Sequence, residues 1–355
     1  MNRREFIGKS ACALAGAAAS GCAVSKIVAT GPKAEFIWGE LIHLGMNMWW
    51  ESPNDWKGWP NVESEEVRQA VLSQYVQSDR VRFDEKMWFG LSDKLHTSGV
   101  NLILLDLGEA VVYPSHPELA VKGSWSVEKL RTEITRLRGM GFEVIPKINF
   151  STSHDLWLGE YHKMVSTSTY YRVCADLIKD VCDIFDMPRF VHLGLDEEIA
   201  EFQAFNSLVV LRQGDLWWHD FRFFVDECEK NGSQAWIWSD YLLRHDVAEF
   251  RKKMPKTVIQ SPWQYSGEIN PEKNPSVKQY VTLAENGYDV IPCASNCYQT
   301  KDNFVDTVKF CSKALPKERL RGFLMAPWCE MTHALRHRLV ESADQVANAR
   351  RLVQK

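Results

Sequence analysis

The segment Phe190-Val191-His192-Leu193-Gly194-Leu195-Asp196-Glu197-Glu198 carries the densest chemistry in this 355-residue chain. An apolar run meets a glycine and then delivers adjacent carboxylates where a strand should end. At the C-terminal end of a barrel strand such groups face a cleft, where one can give a proton and the other can stabilise developing positive charge. The same letters also suit a helix N-terminus, where Asp and Glu meet the helix dipole. The elements around the segment decide between these uses.

From Phe36 onward, short apolar runs alternate with longer amphipathic ones. The pattern predicts strands over 41–48, 101–107, 143–149, 190–195, 235–239, 257–261, 289–294 and 322–327. Helices are expected over 83–97, 127–140, 167–185, 216–231, 246–253, 276–286, 302–314 and 340–353. Gly99, Gly141, Gly232 and Gly287 each stand between a helix and the next strand, where a C-cap is wanted. Eight alternating units point to an α/β fold, a single (β/α)8 barrel over 36–355. A doubly wound open sheet is the competitor, but it needs no eighth unit and usually shows a glycine-rich nucleotide loop, which is absent here.

A barrel brings the residues just past each strand to one face. Those positions hold Trp49 and Trp50, Asp106 and Glu109, Asn149 and His154, Asp196 and Glu197, Trp238 and Asp240, Trp263, Asn296 and Tyr298, and Trp328 and Glu330. Indole faces stack on the C–H side of a sugar ring, while carboxylates and amides pair with its hydroxyls. Each tryptophan alone reads more simply as core. Their recurrence at equivalent places favours a carbohydrate site.

The motifs resemble the catalytic barrel of the family 20 glycoside hydrolases, the β-N-acetylhexosaminidases, over roughly 101–330. His116-Pro117-Glu118-Leu119 with Lys122-Gly123-Ser124-Trp125-Ser126 resembles that family's "PEL…KGAYS" passage. Gly141-Phe142-Glu143-Val144-Ile145-Pro146-Lys147-Ile148-Asn149 resembles "GIEVIPEID", with His154 near the histidine that follows. His192-Leu193-Gly194-Leu195-Asp196-Glu197 resembles "HxGGDE". Tyr298 and Trp328-Cys329-Glu330 fall where the family keeps a tyrosine and a "WxE". The resemblance implies substrate-assisted catalysis, in which the sugar's own 2-acetamido oxygen attacks the anomeric carbon. It implies Glu197 as general acid and Asp196 as the group that orients and charge-stabilises the acetamido. Tyr298 would bond the acetamido oxygen, Trp238, Trp263 and Trp328 would wall the pocket, and Asp240 and Glu330 would hold ring hydroxyls. His154, His192, Asp106 and Asn149 complete the expected sugar contacts.

Several positions depart from the family pattern. Leu195 replaces the second glycine of the signature, Lys147 and Asn149 stand for glutamate and aspartate, and strand 1 lacks the arginine that grips the terminal sugar. If Asn149 faces His192, the histidine loses a carboxylate partner that would raise its pKa. Two other functions therefore stay open. One is a glycosidase with a conventional carboxylate pair, such as Glu197 with Asp240. The other is a surface glycan-binding lipoprotein that kept the barrel and lost the chemistry.

The N-terminus reads as a leader. Arg3-Arg4-Glu5-Phe6-Ile7-Gly8-Lys9 resembles a twin-arginine signal, followed by a small apolar run too short to span a bilayer. It ends in Ala19-Ser20-Gly21-Cys22, like a lipoprotein processing site with Cys22 acylated and 22–35 as tether. A cleavage nearby without lipid is the alternative. Either way the protein is expected to be exported, and membrane contact would run only through a lipid at Cys22. Residues 1–21 carry three cations and one anion, so their removal moves the formal charge from −4 to about −6. The cations are dispersed, which excludes a nucleic-acid stripe. Seven of the nine cysteines lie beyond the leader, with no zinc-like spacing, and read as small core residues. His333 and His337, one helical turn apart, read as surface residues, and Trp217-Trp218 as a helix face against the barrel. No cofactor or metal is expected.

Overall fold

The computed structural model describes residues 32–52, 69, 72–298 and 302–353. Cys22, the expected lipid-attachment residue, lies outside them. Eight parallel strands make one sheet: β1 Ile37–His43, β2 Leu102–Asp106, β3 Glu143–Lys147, β4 Phe190–His192, β5 Gln234–Trp238, β6 Ile259–Ser261, β7 Cys293–Ala294 and β8 Gly322–Met325. Their order is β6-β5-β4-β3-β2-β1-β8-β7. The remaining gap between β6 and β7 is closed by parallel bridges pairing Gln260 with Val290 and Trp263 with Cys293. The chain is thus a (β/α)8 barrel.

Side chains alternate across each strand. Ile37, Leu41, Leu102, Leu104, Ile145, Phe190, Trp236 and Leu324 fill the barrel interior. Their alternates Ile42, Ile103, Leu105, Val144, Val191 and Ile237 pack outward with the helices. These are α1 Glu85–Thr97, α2 Val127–Gly139, α3 Ser168–Ile184, α4 Gly214–Lys230, α5 Asp240–Arg244, α6 Val247–Lys253, α7 Pro275–Glu285, α8 Asn303–Ala314 and α9 Arg336–Val353. Asp84, Ser126, Thr167, Asp246 and Asn274 cap α1, α2, α3, α6 and α7 through their side chains. Gly99, Gly141, Gly232 and Gly287 follow helices with φ between 77° and 96°, the left-handed conformation that a C-cap needs. Trp217 and Trp218 are buried on α4, whereas His333 and His337 are exposed. All seven cysteines of the described part are buried free thiols.

The first strand lies four residues earlier than its pattern predicts. The Glu109 carboxylate accepts from the Met46 and Asn47 N–H groups at 2.9 and 3.1 Å, so those donors are satisfied outside the sheet. A Cβ on Gly45 would stand 2.4 Å from the Leu107 carbonyl oxygen. Only glycine lets the chain turn inward there, and Trp49 and Trp50 are delivered by a loop rather than a strand.

Register sets what lies under the mouth of the barrel. His43 pairs with Asp106, Asp106 with Lys147, Lys147 with His192, and His192 with Trp236. Four successive strands therefore end in one row of polar side chains, all buried.

Candidate active site

Above that row, the segment after β4 turns sharply. Gly194 has φ 72°, and a Cβ there would fall 1.8 Å from Asn149 Oδ1. The glycine is required because the Asn149 side chain occupies the space. Its carbonyl oxygen accepts from the N–H groups of Leu195 and Ser151 at 3.3 and 2.9 Å, and its amide donates to Asp196 Oδ1 at 2.9 Å. Ser151 Oγ donates to the Asp196 backbone oxygen. Leu195 and Glu197 themselves have φ of 65° and 53°, and Trp328 has 48°. Left-handed backbone at non-glycine residues costs about 1–3 kcal/mol each and clusters where geometry matters more than comfort.

Asp196 and Glu197 share one histidine. His154 Nε2 lies 3.1 Å from Glu197 Oε2 and 3.5 Å from Asp196 Oδ2. Burial works against the imidazolium, but the Asp196 charge and the Glu197 hydrogen bond prevail and raise the His154 pKa. Burial pushes the Glu197 carboxyl above the ordinary glutamate range, with His154 opposing and Asp196 adding to the rise. The three side chains offer ligand atoms within 4.8 Å of one another, so they are also the group of described residues best placed to hold a cation.

The acids open into a cavity of about 260 Å³. Trp238, Trp263, Tyr265, Tyr298 and Trp328 line it together with Trp49, Trp50, Tyr75, Phe202 and Phe205. Asp196, Glu197 and Glu201 are the carboxylates among the described lining residues, and all come from the segment after β4. The indole N–H groups of Trp49 and Trp238 are buried without a protein partner. Such donors are costly unless water or a ligand takes them. Burial raises the Tyr298 phenol well above its ordinary pKa, so it stays a hydroxyl donor at neutral pH.

The expected site residues divide into those in this cavity and those around it. Asp196, Glu197, Tyr298, Trp238, Trp263 and Trp328 converge on it. His154 backs the two acids, and Asn149 holds Asp196. Asn149 does not partner His192, whose Nδ1 accepts from the Gly194 N–H at 3.1 Å. Burial, then the Lys147 charge, keeps that imidazole neutral.

Asp106, expected to touch sugar, instead lies 2.7 Å from Lys147 Nζ and 2.9 Å from His43 Nδ1 in the sealed row below. Asp240, expected to bind ring hydroxyls, stands on the far side of Glu197. Its oxygens accept from Trp263 Nε1 at 2.7 Å and the Glu197 N–H at 3.4 Å. Burial, then the charges of Asp196 and Glu197, raises its carboxyl well above the aspartate range. Glu330 is also outside the lining, because Arg82 holds its carboxylate at 3.0 Å.

Tyr265, Tyr75, Phe202 and Phe205 were not singled out by the sequence. Tyr265 stands two residues past Trp263 and stacks near it at 4.8 Å, a spacing that could have been read. Tyr75 enters from the connection before α1, and its hydroxyl donates to the Trp328 carbonyl at 3.1 Å. No local pattern announces that contact.

No protein-family model matches the chain, and no curated sequence matches it. Solved structures do. The family 20 exo-β-N-acetylglucosaminidase from Vibrio harveyi, in complex with N-acetylglucosamine, superposes with TM-score 0.57 at 13% identity, over 88% of this chain and 54% of that one. The β-N-acetylhexosaminidase from Bacteroides fragilis gives 0.56 at 14%, over 87% and 65%. Dispersin B gives 0.51 at 15%, over 75% and 95%. The chain spans about half the length of the Vibrio enzyme. At these identities the likeness is one of fold.

Proposed function

We propose that the protein is a retaining glycoside hydrolase acting on 2-acetamido sugars with help from the substrate. The observation that carries this reading is the Asp196–His154–Glu197 cluster, whose two acids line a cavity with Tyr298 and several tryptophans. An ordinary retaining enzyme needs a second carboxylate about 5 Å from the first, across the anomeric carbon. Here the described lining carboxylates all come from the segment after β4 and none from the end of another strand, which favours a nucleophile supplied by the substrate.

In this mechanism Glu197, whose carboxyl is raised by burial above the ordinary glutamate range, gives its proton to the glycosidic oxygen as the bond to the anomeric carbon breaks. The acetamido oxygen forms the new bond to that carbon. Asp196, oriented by Asn149, accepts from the acetamido N–H and stabilises the oxazolinium ion. The Tyr298 hydroxyl donates to the acetamido oxygen and aims it. Glu197, now a carboxylate, takes a proton from the water that opens the ring, which returns the starting configuration. Asp240 is a poor conventional nucleophile, because it accepts from the Glu197 N–H and from Trp263 Nε1 and burial raises its carboxyl well above the aspartate range.

The test pairs an aryl N-acetyl-β-glucosaminide with the plain aryl glucoside, for the wild type and for Glu197→Gln. The expected result is cleavage of the 2-acetamido substrate alone, lost in the variant. Cleavage of the plain glucoside would overturn substrate assistance. Tight glycan binding without turnover would favour the glycan-binding alternative. The leader supports placing this chemistry outside the cytoplasm, with the chain tethered by lipid at Cys22. Labelled fatty acid incorporated by the wild type but not by Cys22→Ser is the corresponding check.

A further inference from the structure

Glu197 lines a second cavity as well. This space, about 340 Å³, lies between the segment after β4, the N-terminus of α4 and the short helix α5. An acid that lines two cavities can protonate a bond held between a ring in one and a leaving unit in the other.

The second cavity differs from the first in character. Arg244, at the end of α5, lines it with an exposed guanidinium that pairs with no carboxylate among the described residues. It stands near enough to Glu197 for its charge to pull that acid's pKa down. Gln213 and Gly214 open α4 into the same space, and Gln213 makes no side-chain cap. The first turn of this 17-residue helix therefore borders the cavity with no side-chain cap, its Leu216 N–H being taken by the Gln213 carbonyl at 3.2 Å. Arg212, buried, also lines it and has a free Nε.

The acids present do not cancel this. Glu198 is already taken by Arg212 and by the Thr152 N–H at 2.9 Å. Burial keeps Asp240 and Glu197 toward their neutral forms. His245, the other basic group there, stacks on Tyr241 at 3.7 Å and adds no negative charge.

We propose that this cavity receives the leaving unit of the substrate, and that Arg244 selects a unit carrying an anionic group, a carboxylate or a sulfate, beside the scissile bond. The inference rests on Glu197 as proton donor, and it adds what kind of sugar lies beyond the cut. A guanidinium matches either oxyanion with paired donors, and the start of α4, which has no side-chain cap, borders the same space.

The test uses three disaccharides with N-acetylglucosamine β-linked to glucose, to glucuronate and to glucose 6-sulfate. Each is titrated calorimetrically into the full chain carrying Glu197→Gln, alone and combined with Arg244→Gln or Arg244→Lys. At least one anionic disaccharide is expected to bind about tenfold tighter than the neutral one, and which one does so separates uronate from sulfate. Arg244→Gln should bring that ratio near one, and Arg244→Lys should keep part of it. Equal binding of all three, no binding of the anionic pair, or a preference that survives Arg244→Gln overturns the proposal. Wild-type hydrolysis of the aryl N-acetylglucosaminide is followed alongside. Its absence would count against the glycosidase reading and not against this cavity, because the binding ratio requires no turnover.

Discussion

Two carboxylate–histidine clusters sit at the same end of this barrel and behave oppositely. In the row below the mouth, Asp106 meets His43 and Lys147, all three buried. Burial pushes the Asp106 carboxyl up, but the Lys147 charge and His43 more than reverse it, so its pKa falls below the ordinary range. In the cluster above, two carboxylates share the single cation His154, and burial holds Glu197 up. A lysine in the place of the second carboxylate turns a proton store into a sealed ion pair. Charge balance, rather than the presence of acids and histidines, distinguishes a candidate acid from a structural anion.

The strongest way to break that contrast is to remove the acid. Glu197→Gln should lower kcat/KM on substrates with poor leaving groups by about a thousandfold and leave the thermal midpoint within a few degrees. A near-normal rate would strip Glu197 of its role. The sealed cluster should respond in stability instead. Lys147→Met leaves Asp106 buried and uncompensated, at a cost of about 3–5 kcal/mol in urea denaturation. Adding Asp106→Asn should recover much of that loss, because the orphaned charge is gone. No recovery would mean that Lys147 matters for its packing and not for its charge.

The clusters also differ in the direction of their pH response. Glu197 must be protonated to act, so activity should fall as pH rises through its raised pKa. His154 holds that pKa down, so His154→Phe should move the alkaline limb of kcat to higher pH, along with any loss of rate. Asp106 runs the other way. Its folded pKa is depressed, so its stabilisation is present above the usual carboxylate value of about 4 and is lost as pH falls through the lower folded value. A limb that does not move in His154→Phe would detach it from Glu197.

The barrel was legible because its signals are local. Strand alternation, amphipathic helices and the glycines after them each occupy a few neighbouring residues, and most expected helices match within two or three positions. Asp196 and Glu197 were legible because a glycine and a strand end deliver them together. The sealed row was not, since it exists only through register: nothing near Lys147 in the chain says that Asp106 stands beside it on the next strand. Glu330 was placed in the pocket from its spacing to Trp328, but Arg82 draws it away across the fold. Asn149 looked like a weakened partner for His192, and only the turn at Gly194 shows that it faces Asp196. Contacts made between distant segments are what spacing does not carry.

The smallest expected effect concerns Leu195, in the turn that delivers the two acids. It is buried, yet its φ is 65°. Truncation to alanine loses the packing and keeps the unfavourable backbone, whereas truncation to glycine loses the packing and relieves it. At an ordinary helix or strand position glycine is the worse replacement by roughly 0.5–1 kcal/mol. Here the order should reverse, with Leu195→Gly more stable than Leu195→Ala by about 1 kcal/mol. If alanine proves the better replacement, the left-handed turn that delivers Asp196 and Glu197 is not under strain. Glu197, held in the same conformation, would then owe its position to His154 and Asp240 alone.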